Sequence, residues 1–161
     1  MSTINIRPIS IADNPLIATI IRSCLTEFGA NKPGTVYYDK TTDHLFELFQ
    51  KNGAAYFIAE QDGQVVGGGG IFPSPGLPAG TCELVKMYLL PLARGTGIGA
   101  TLMNRCLGKA KEMGFVNMYI ETLPELKKAI SVYEKFGFIY LDNPLGNTGH
   151  FGCSVWMLKS L

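Results

Sequence analysis

Disulfide pairs, long apolar runs and a surplus of either charge are all missing from this chain. The four cysteines, Cys24, Cys82, Cys106 and Cys153, stand apart with no C-x-x-C pair. That excludes a disulfide framework or a thiolate metal knuckle as the organising feature. Cys82 and Cys106 sit in apolar patterns and read as buried free thiols, which points to a reducing cytoplasm. Histidine is scarce as well: His44 and His150 have no cysteine or carboxylate arranged around them at ligand spacing, so no metal site is expected. No apolar run reaches about 18 residues. Arg7 with Pro8 breaks the N-terminal segment, so neither a membrane span nor a secretory signal is expected. Charged residues make up 17% of the chain and the net charge is +1. Without a steering field, nucleic acid, an acidic membrane surface and a strongly acidic substrate are not indicated. Repeats and low-complexity linkers are absent too.

What is present is apolar bulk. With 161 residues, 47% of them hydrophobic, residues 1–161 read as one globular domain with one core. Ile4, Ile6, Pro8 and Ile9 describe an edge strand. Asp13-Asn14-Pro15 starts a helix with the stripe Ile17, Ile20, Ile21, Cys24, Leu25 and Phe28, stopped by Gly29. Residues 30–40 form a loop, and Asp43 caps a second helix carrying Leu45, Phe46, Leu48 and Phe49. Strands over 55–59 and 64–72 are joined by the hairpin turn Asp62-Gly63. The second strand holds Gly67-Gly68-Gly69-Gly70, for which two readings stand. Either the backbone is closely packed or bulged there, or bare backbone leaves open space for an acceptor. Residues 72–80 form a surface loop. Residues 116–121 are a strand, and Pro124-Glu125 starts a helix with the stripe Leu126, Ala129, Ile130, Tyr133 and Phe136. Strands over 138–141 and 151–158 follow. This order of elements predicts an α/β fold, a mixed sheet with helices on both faces.

The most informative stretch runs from Cys82 to Met113. An apolar strand, Leu84 to Leu90, is ended by Pro91. Arg94-Gly95-Thr96-Gly97-Ile98-Gly99 follows. A helix then begins within the glycines, with Ile98, Leu102, Met103, Cys106, Leu107, Ala110 and Met113 on one stripe. Strand, glycine turn and helix in that order make an anion site, because bare amides and the positive end of a helix point the same way. Glycine lets a phosphate reach the backbone, and Arg94 adds a cation at the rim. The spacing is not G-x-G-x-x-G with a later acidic residue, as a dinucleotide fold needs, and Gly99-Ala100-Thr101 lacks the lysine of a P-loop.

Arg94 to Gly99 reads R-x-x-G-x-G, which resembles the phosphate-binding motif of the GNAT superfamily of acyl-CoA-dependent N-acetyltransferases. A second segment, Ala129 to Phe138, is similar to the family's A-x-x-x-Y-x-x-x-G-F. The resemblance covers residues 56–158 well and the first 55 loosely. It implies a central, mostly antiparallel sheet of about seven strands with helices on both faces. It also implies acetyl-CoA as cosubstrate and direct attack of a primary amine on the thioester. The amides of Gly95, Thr96, Gly97, Ile98, Gly99 and Ala100 would hold the phosphates. The strand at 84–89 would splay from that at 116–121, and Met87, Tyr88 and Leu89 would bind pantetheine and thioester through their backbone. Ser131 or Thr122 would replace a cofactor-binding asparagine that relatives carry where this chain has Leu126.

Two side chains are candidate catalysts. Tyr133 occupies the tyrosine of the second motif and would donate a proton to the departing sulfur; without the motif its place on the helix stripe reads as core. Glu83 lies eleven residues before Arg94, where histone-modifying relatives carry a catalytic glutamate. On strand parity it faces with Val85 and Met87, opposite Leu84. A carboxylate among apolar neighbours would have a raised pKa and could accept the amine's proton, while a carboxylate in water at a strand end is the other reading. Phe28, Tyr37, Tyr38 and Phe72 could form an aromatic acceptor pocket with the proline-rich loop. Such a pocket suits a small amine or a peptide amino group. His150 either reaches that acceptor site as a base or contact, or is a plain loop histidine. A homodimer through the C-terminal strands and a non-catalytic acyl-CoA sensor on the same fold are the further alternatives.

Overall fold

A computed structural model describes residues 1–161. The strands are β1 (Ile4–Pro8), β2 (Ala55–Gln61), β3 (Gln64–Phe72), β4 (Thr81–Leu89), β5 (Asn117–Thr122), β6 (Ile139–Leu141) and β7 (Val155–Ser160). The helices are α1 (Asn14–Glu27), α2 (Leu45–Leu48), α3 (Ile98–Glu112) and α4 (Lys127–Lys135). All seven strands join one sheet in the order β1-β2-β3-β4-β5-β7-β6. Every neighbouring pair is antiparallel except β4 with β5.

Helical periodicity decides which face each helix buries. On α1, Ile17, Ile20, Ile21, Cys24 and Leu25 pack with Leu45 and Phe49 against Tyr56, Ile58 and Val85 on one side of the sheet. On α3, Leu102, Met103, Cys106, Leu107 and Ala110 pack with Tyr133 of α4 against Phe57, Ile71, Leu84 and Met118 on the other. Burying each such Leu or Ile stabilises the fold by about 1.5–3 kcal/mol.

Three elements differ from expectation. Asp43 does not cap α2, because its carboxylate is drawn to Arg22, 2.6 Å and 3.0 Å from the guanidinium nitrogens. The segment Lys40–His44 is therefore a 3-10 turn and α2 a single turn. β7 begins at Val155 rather than at Phe151, whose ring is exposed while the next amide, Gly152, donates to the Gly34 carbonyl at 2.9 Å. α4 begins at Lys127 rather than at Pro124.

The glycine run on β3 is closely packed and leaves no open space. A Cβ on Gly67 would lie 2.1 Å from the Tyr88 carbonyl oxygen, and one on Gly70 2.4 Å from that of Ala55. The Tyr56 ring lies over Gly68 and Gly70, 2.7 Å from where either Cβ would stand. The reading of bare backbone open to an acceptor is thereby overturned.

β4 carries a bulge that the sequence did not announce. Gly68 pairs with Tyr88 and Gly70 with Val85, so three steps on β4 face two on β3. The extra residue is Lys86, held in the left-handed region at φ 52. A bulge resets the alternation of side chains. Val85 and Tyr88 therefore pack on the α1 side, while Leu84, Met87 and Leu89 pack on the α3 side. Glu83 shares a face with Val85 but not with Met87, contrary to strand parity.

Candidate active site

β4 and β5 run side by side only briefly. Thr81, Cys82 and Glu83 pair with Asn117, Met118 and Tyr119, and beyond them no residue of β4 pairs with β5. The strands part over Leu84–Leu89, leaving that edge of β4 open. A cavity of about 420 Å³ fills the opening. It is lined by Gly95 and Gly99 at the start of α3, by Met87, Tyr88, Leu89 and Tyr133, and by Glu83, Lys86, Glu121 and His150.

The start of α3 is a cradle of unused amides. Helix geometry leaves the first N–H groups without partners, and here the run extends backward through the turn. None of the amides from Gly95 to Ala100 reaches an acceptor in the protein; the first that does is Thr101, which donates to the Gly97 carbonyl at 3.1 Å. Gly95 and Gly97 sit at φ +74 and +91, with nothing within 4 Å of where a Cβ would be. The turn is held by the Thr96 hydroxyl, which donates to the Ala93 carbonyl at 2.6 Å. Unpaired donors at a helix N-terminus attract an anion.

Arg94 does not point its charge at that cradle. Its guanidinium is clamped by Glu27 at 2.6 Å and 3.0 Å, donates from Nε to the Leu89 carbonyl at 3.0 Å, and stacks 4.9 Å from the Phe28 ring centroid. The expected free cation at the rim is corrected by this pairing. Arg94 instead ties the turn to α1, with a carboxylate neutralising it.

On the α1 face, the fold gathers a polar cluster where the strands part. Glu83 on β4, Glu121 on β5 and His150 in the loop before β7 each bring an oxygen or nitrogen within 4.8 Å of one another. Glu83 accepts from the Ser74 hydroxyl at 2.5 Å and is 2% exposed. Burial pushes its carboxyl up to about 7, partly offset by the Ser74 hydrogen bond. Glu121 accepts from the Tyr119 hydroxyl at 2.8 Å and from Thr148. His150 Nε2 lies 2.8 Å from Asp39 Oδ2. Burial opposes ionisation of Asp39, but the His150 contact and the charges of His150 and Lys86 hold its pKa below the ordinary value. Lys86 is buried beside it, Nζ 3.8 Å from Asp39 Oδ2, and burial lowers its pKa against the pull of Asp39 and Glu83. His150 in the sequence has no carboxylate near it, so this donor cluster is made wholly by the fold. Glu121 was legible only as a polar residue ending a strand, and Lys86 and Asp39 carried no signal.

Tyr133 stands on the opposite face, within the α3-side core. It lines the cavity, and burial pushes its hydroxyl up to about 12, so it stays protonated at neutral pH. Leu126, Ser131 and Thr122 line the cavity too. The expected aromatic pocket does not assemble. Phe28 and His150 line the cavity, but Tyr37, Tyr38 and Phe72 do not. Phe72 stacks on Phe49 at 5.5 Å, Tyr38 is largely exposed, and Tyr37 packs into the α1-side core. Apolar packing claims Phe72 and Tyr37 while Tyr38 faces solvent, and periodicity alone distinguishes neither from lining a pocket. Cys153 also borders the cavity, but burial raises its thiol to about 12, which leaves it inert as a nucleophile.

The family model of the acetyltransferase (GNAT) family matches residues 18–138. Over 157 residues the chain is 45% identical to an uncharacterized N-acetyltransferase of Escherichia coli K12, YjgM, spanning 96% of this chain and 93% of that protein. The IAA acetyltransferase of Azospirillum brasilense is 31% identical over 126 residues, 77% of this chain and 80% of that one. Among solved structures, a GNAT-family acetyltransferase of Staphylococcus aureus Mu50 superposes with a TM-score of 0.82 at 19% identity, over 98% of this chain and 99% of that one. The PaiA N-acetyltransferase of Thermoplasma acidophilum, solved in complex with coenzyme A, superposes at 0.72 with 20% identity, over 99% of both chains. At these identities the structural likeness speaks for the fold.

Proposed function

This chain belongs to the GNAT acetyltransferase family and is an N-acetyltransferase; from that premise we propose that it moves an acetyl group from acetyl-CoA to a primary amine of a small molecule or peptide. One observation carries this reading: the run of unused amides from Gly95 to Ala100 meets, at Gly95 and Gly99, the same cavity as the open edge of β4. The residues fit coenzyme A on that ground. Unpaired donors at a helix start suit its diphosphate, and a strand edge without a partner suits the amides of its pantetheine arm. When bound, acetyl-CoA supplies the acyl group as an activated thioester.

The protein's own groups do the rest. The amides of Gly95 to Ala100 take the phosphates. Backbone at Met87, Tyr88 and Leu89 aligns the arm, and an amide there polarises the thioester carbonyl. Glu83, with its carboxyl near neutrality, accepts a proton from the acceptor ammonium, since only the neutral amine attacks. Tyr133, on the other face of the gap, returns a proton to the departing sulfur. The role of Arg94 is to hold the turn through Glu27 and the Leu89 carbonyl.

The test is thiol release from acetyl-CoA across a panel of amines, with acetylated products identified by mass. Amine-dependent release is expected. Tight binding of coenzyme A with no amine raising release above background would instead make the protein a non-catalytic acyl-CoA sensor.

A further inference from the structure

The bulge in β4 puts a lysine where a strand would not. At φ 52, Lys86 pays backbone strain that a non-glycine residue tolerates only when its surroundings impose it. The consequence is that Lys86 follows Val85 onto the α1 side, into the cavity beside Asp39. Its side chain is 5% exposed. A buried ammonium is costly unless paired and hydrogen-bonded. Yet the nearest carboxylate oxygen, Asp39 Oδ2, is 3.8 Å away and already contacts His150 Nε2 at 2.8 Å. The ammonium thus has donors to spare, on a residue that lines the cavity.

The carboxylates of the cavity are committed differently. Glu83 is held by Ser74, and Glu121 by Tyr119 and Thr148. The site therefore offers separate places for opposite charges: carboxylates where β4 and β5 part, and one under-coordinated cation at the bulge. Three carboxylates nearby would repel a polyanion. A single negative charge carried next to an amine answers both ends of the cluster.

We infer that the acceptor is a zwitterionic amine, of the amino-acid type, whose carboxylate is bound by the Lys86 ammonium while its amine faces Glu83. This rests on the acetyl-transfer reading and names the substrate class of that same site. Lys86 is the specificity-determining residue. A charge-assisted hydrogen bond to a buried ammonium is stronger than its neutral counterpart, and a substrate lacking the carboxylate leaves the ammonium without that partner.

The experiment uses the full chain with saturating acetyl-CoA. Initial rates are compared for L-amino acids, their methyl esters and the corresponding decarboxylated amines. The wild type is expected to favour free amino acids by at least about tenfold in kcat/KM. Lys86→Met should erase that preference, chiefly through KM, and Lys86→Arg should keep part of it. Thermal melts of each variant report the fold. Equal use of decarboxylated amines by the wild type overturns the inference, as does a Lys86→Met variant that slows every acceptor alike or none. Coenzyme A binding without acetylation of any amine defeats the acetyl-transfer reading itself, and this inference with it. Acetylation of amines without carboxylate preference defeats this inference alone.

Discussion

Glu83 keeps its proton to about pH 7 because burial outweighs the Ser74 hydrogen bond and the charges of His150 and Lys86, which only partly compensate its own. If it is the base, kcat/KM rises about tenfold per pH unit below 7 and levels off above it. A pH profile of Glu83→Gln without that inflection supports the assignment; an unchanged profile removes it. Stability moves the other way. The folded-state pKa lies above the ordinary 4.5, so between those values the native state holds more proton than the unfolded chain. Stability from this group is therefore full below about 4.5 and is lost as pH rises through 7. Glu83→Gln should be more stable than wild type at pH 8, with the gap closing near pH 5, as denaturant midpoints would show. Tyr133→Phe should lower turnover ~10²-fold or more with coenzyme A affinity kept; undiminished turnover would return the ring to a packing role alone.

At the scale of elements, the first turn of α3 and the β3–β4 pair carry the site. Gly99 has helical φ, and a Cβ there meets only Leu89 Cδ1 at 3.6 Å. Gly99→Glu should thus fold normally and even gain from a carboxylate at a helix N-terminus. The same carboxylate occupies the donors and repels phosphate, so coenzyme A affinity should fall by tenfold or more, about 1.4 kcal/mol. Calorimetry showing unchanged affinity would remove the cradle. On β3, Gly68→Ala brings a Cβ within 2.6 Å of the Phe57 carbonyl oxygen, an overpacking expected to cost about 1–3 kcal/mol. A midpoint of urea unfolding equal to wild type would refute it. The bulge belongs to this scale as well: one extra residue in β4 decides that Met87 joins the α3 side and Lys86 the cavity.

The whole sheet is two halves, β1–β4 and β5–β7, joined edge to edge only from Thr81–Asn117 to Glu83–Tyr119. A ligand lying in the gap touches both halves, so acetyl-CoA should raise the melting temperature. At a hundred times its Kd the gain is about 2.7 kcal/mol, or roughly 5–10 °C. ATP giving an equal rise would favour a nucleotide site instead. Much of this architecture was legible beforehand. Periods of 3.6 and 2, with glycine and proline as punctuation, suffice to locate the helices, most strands and the anion turn, because backbone preference and the need to bury apolar stripes are local. That is also why the R-x-x-G-x-G turn could be read: its donors are main-chain groups, set by a few neighbouring residues. What no local pattern contains is which side chains meet across the sheet. The clamp of Arg94 by Glu27, the gathering of Glu83, Glu121, His150 and Asp39, and the exposure of Tyr38 depend on contacts between residues far apart in the chain. The bulge at Lys86 depends on how β3 and β4 come into register. Only the folded chain decides those, because charge pairing and burial are settled by three-dimensional neighbours rather than by sequence order.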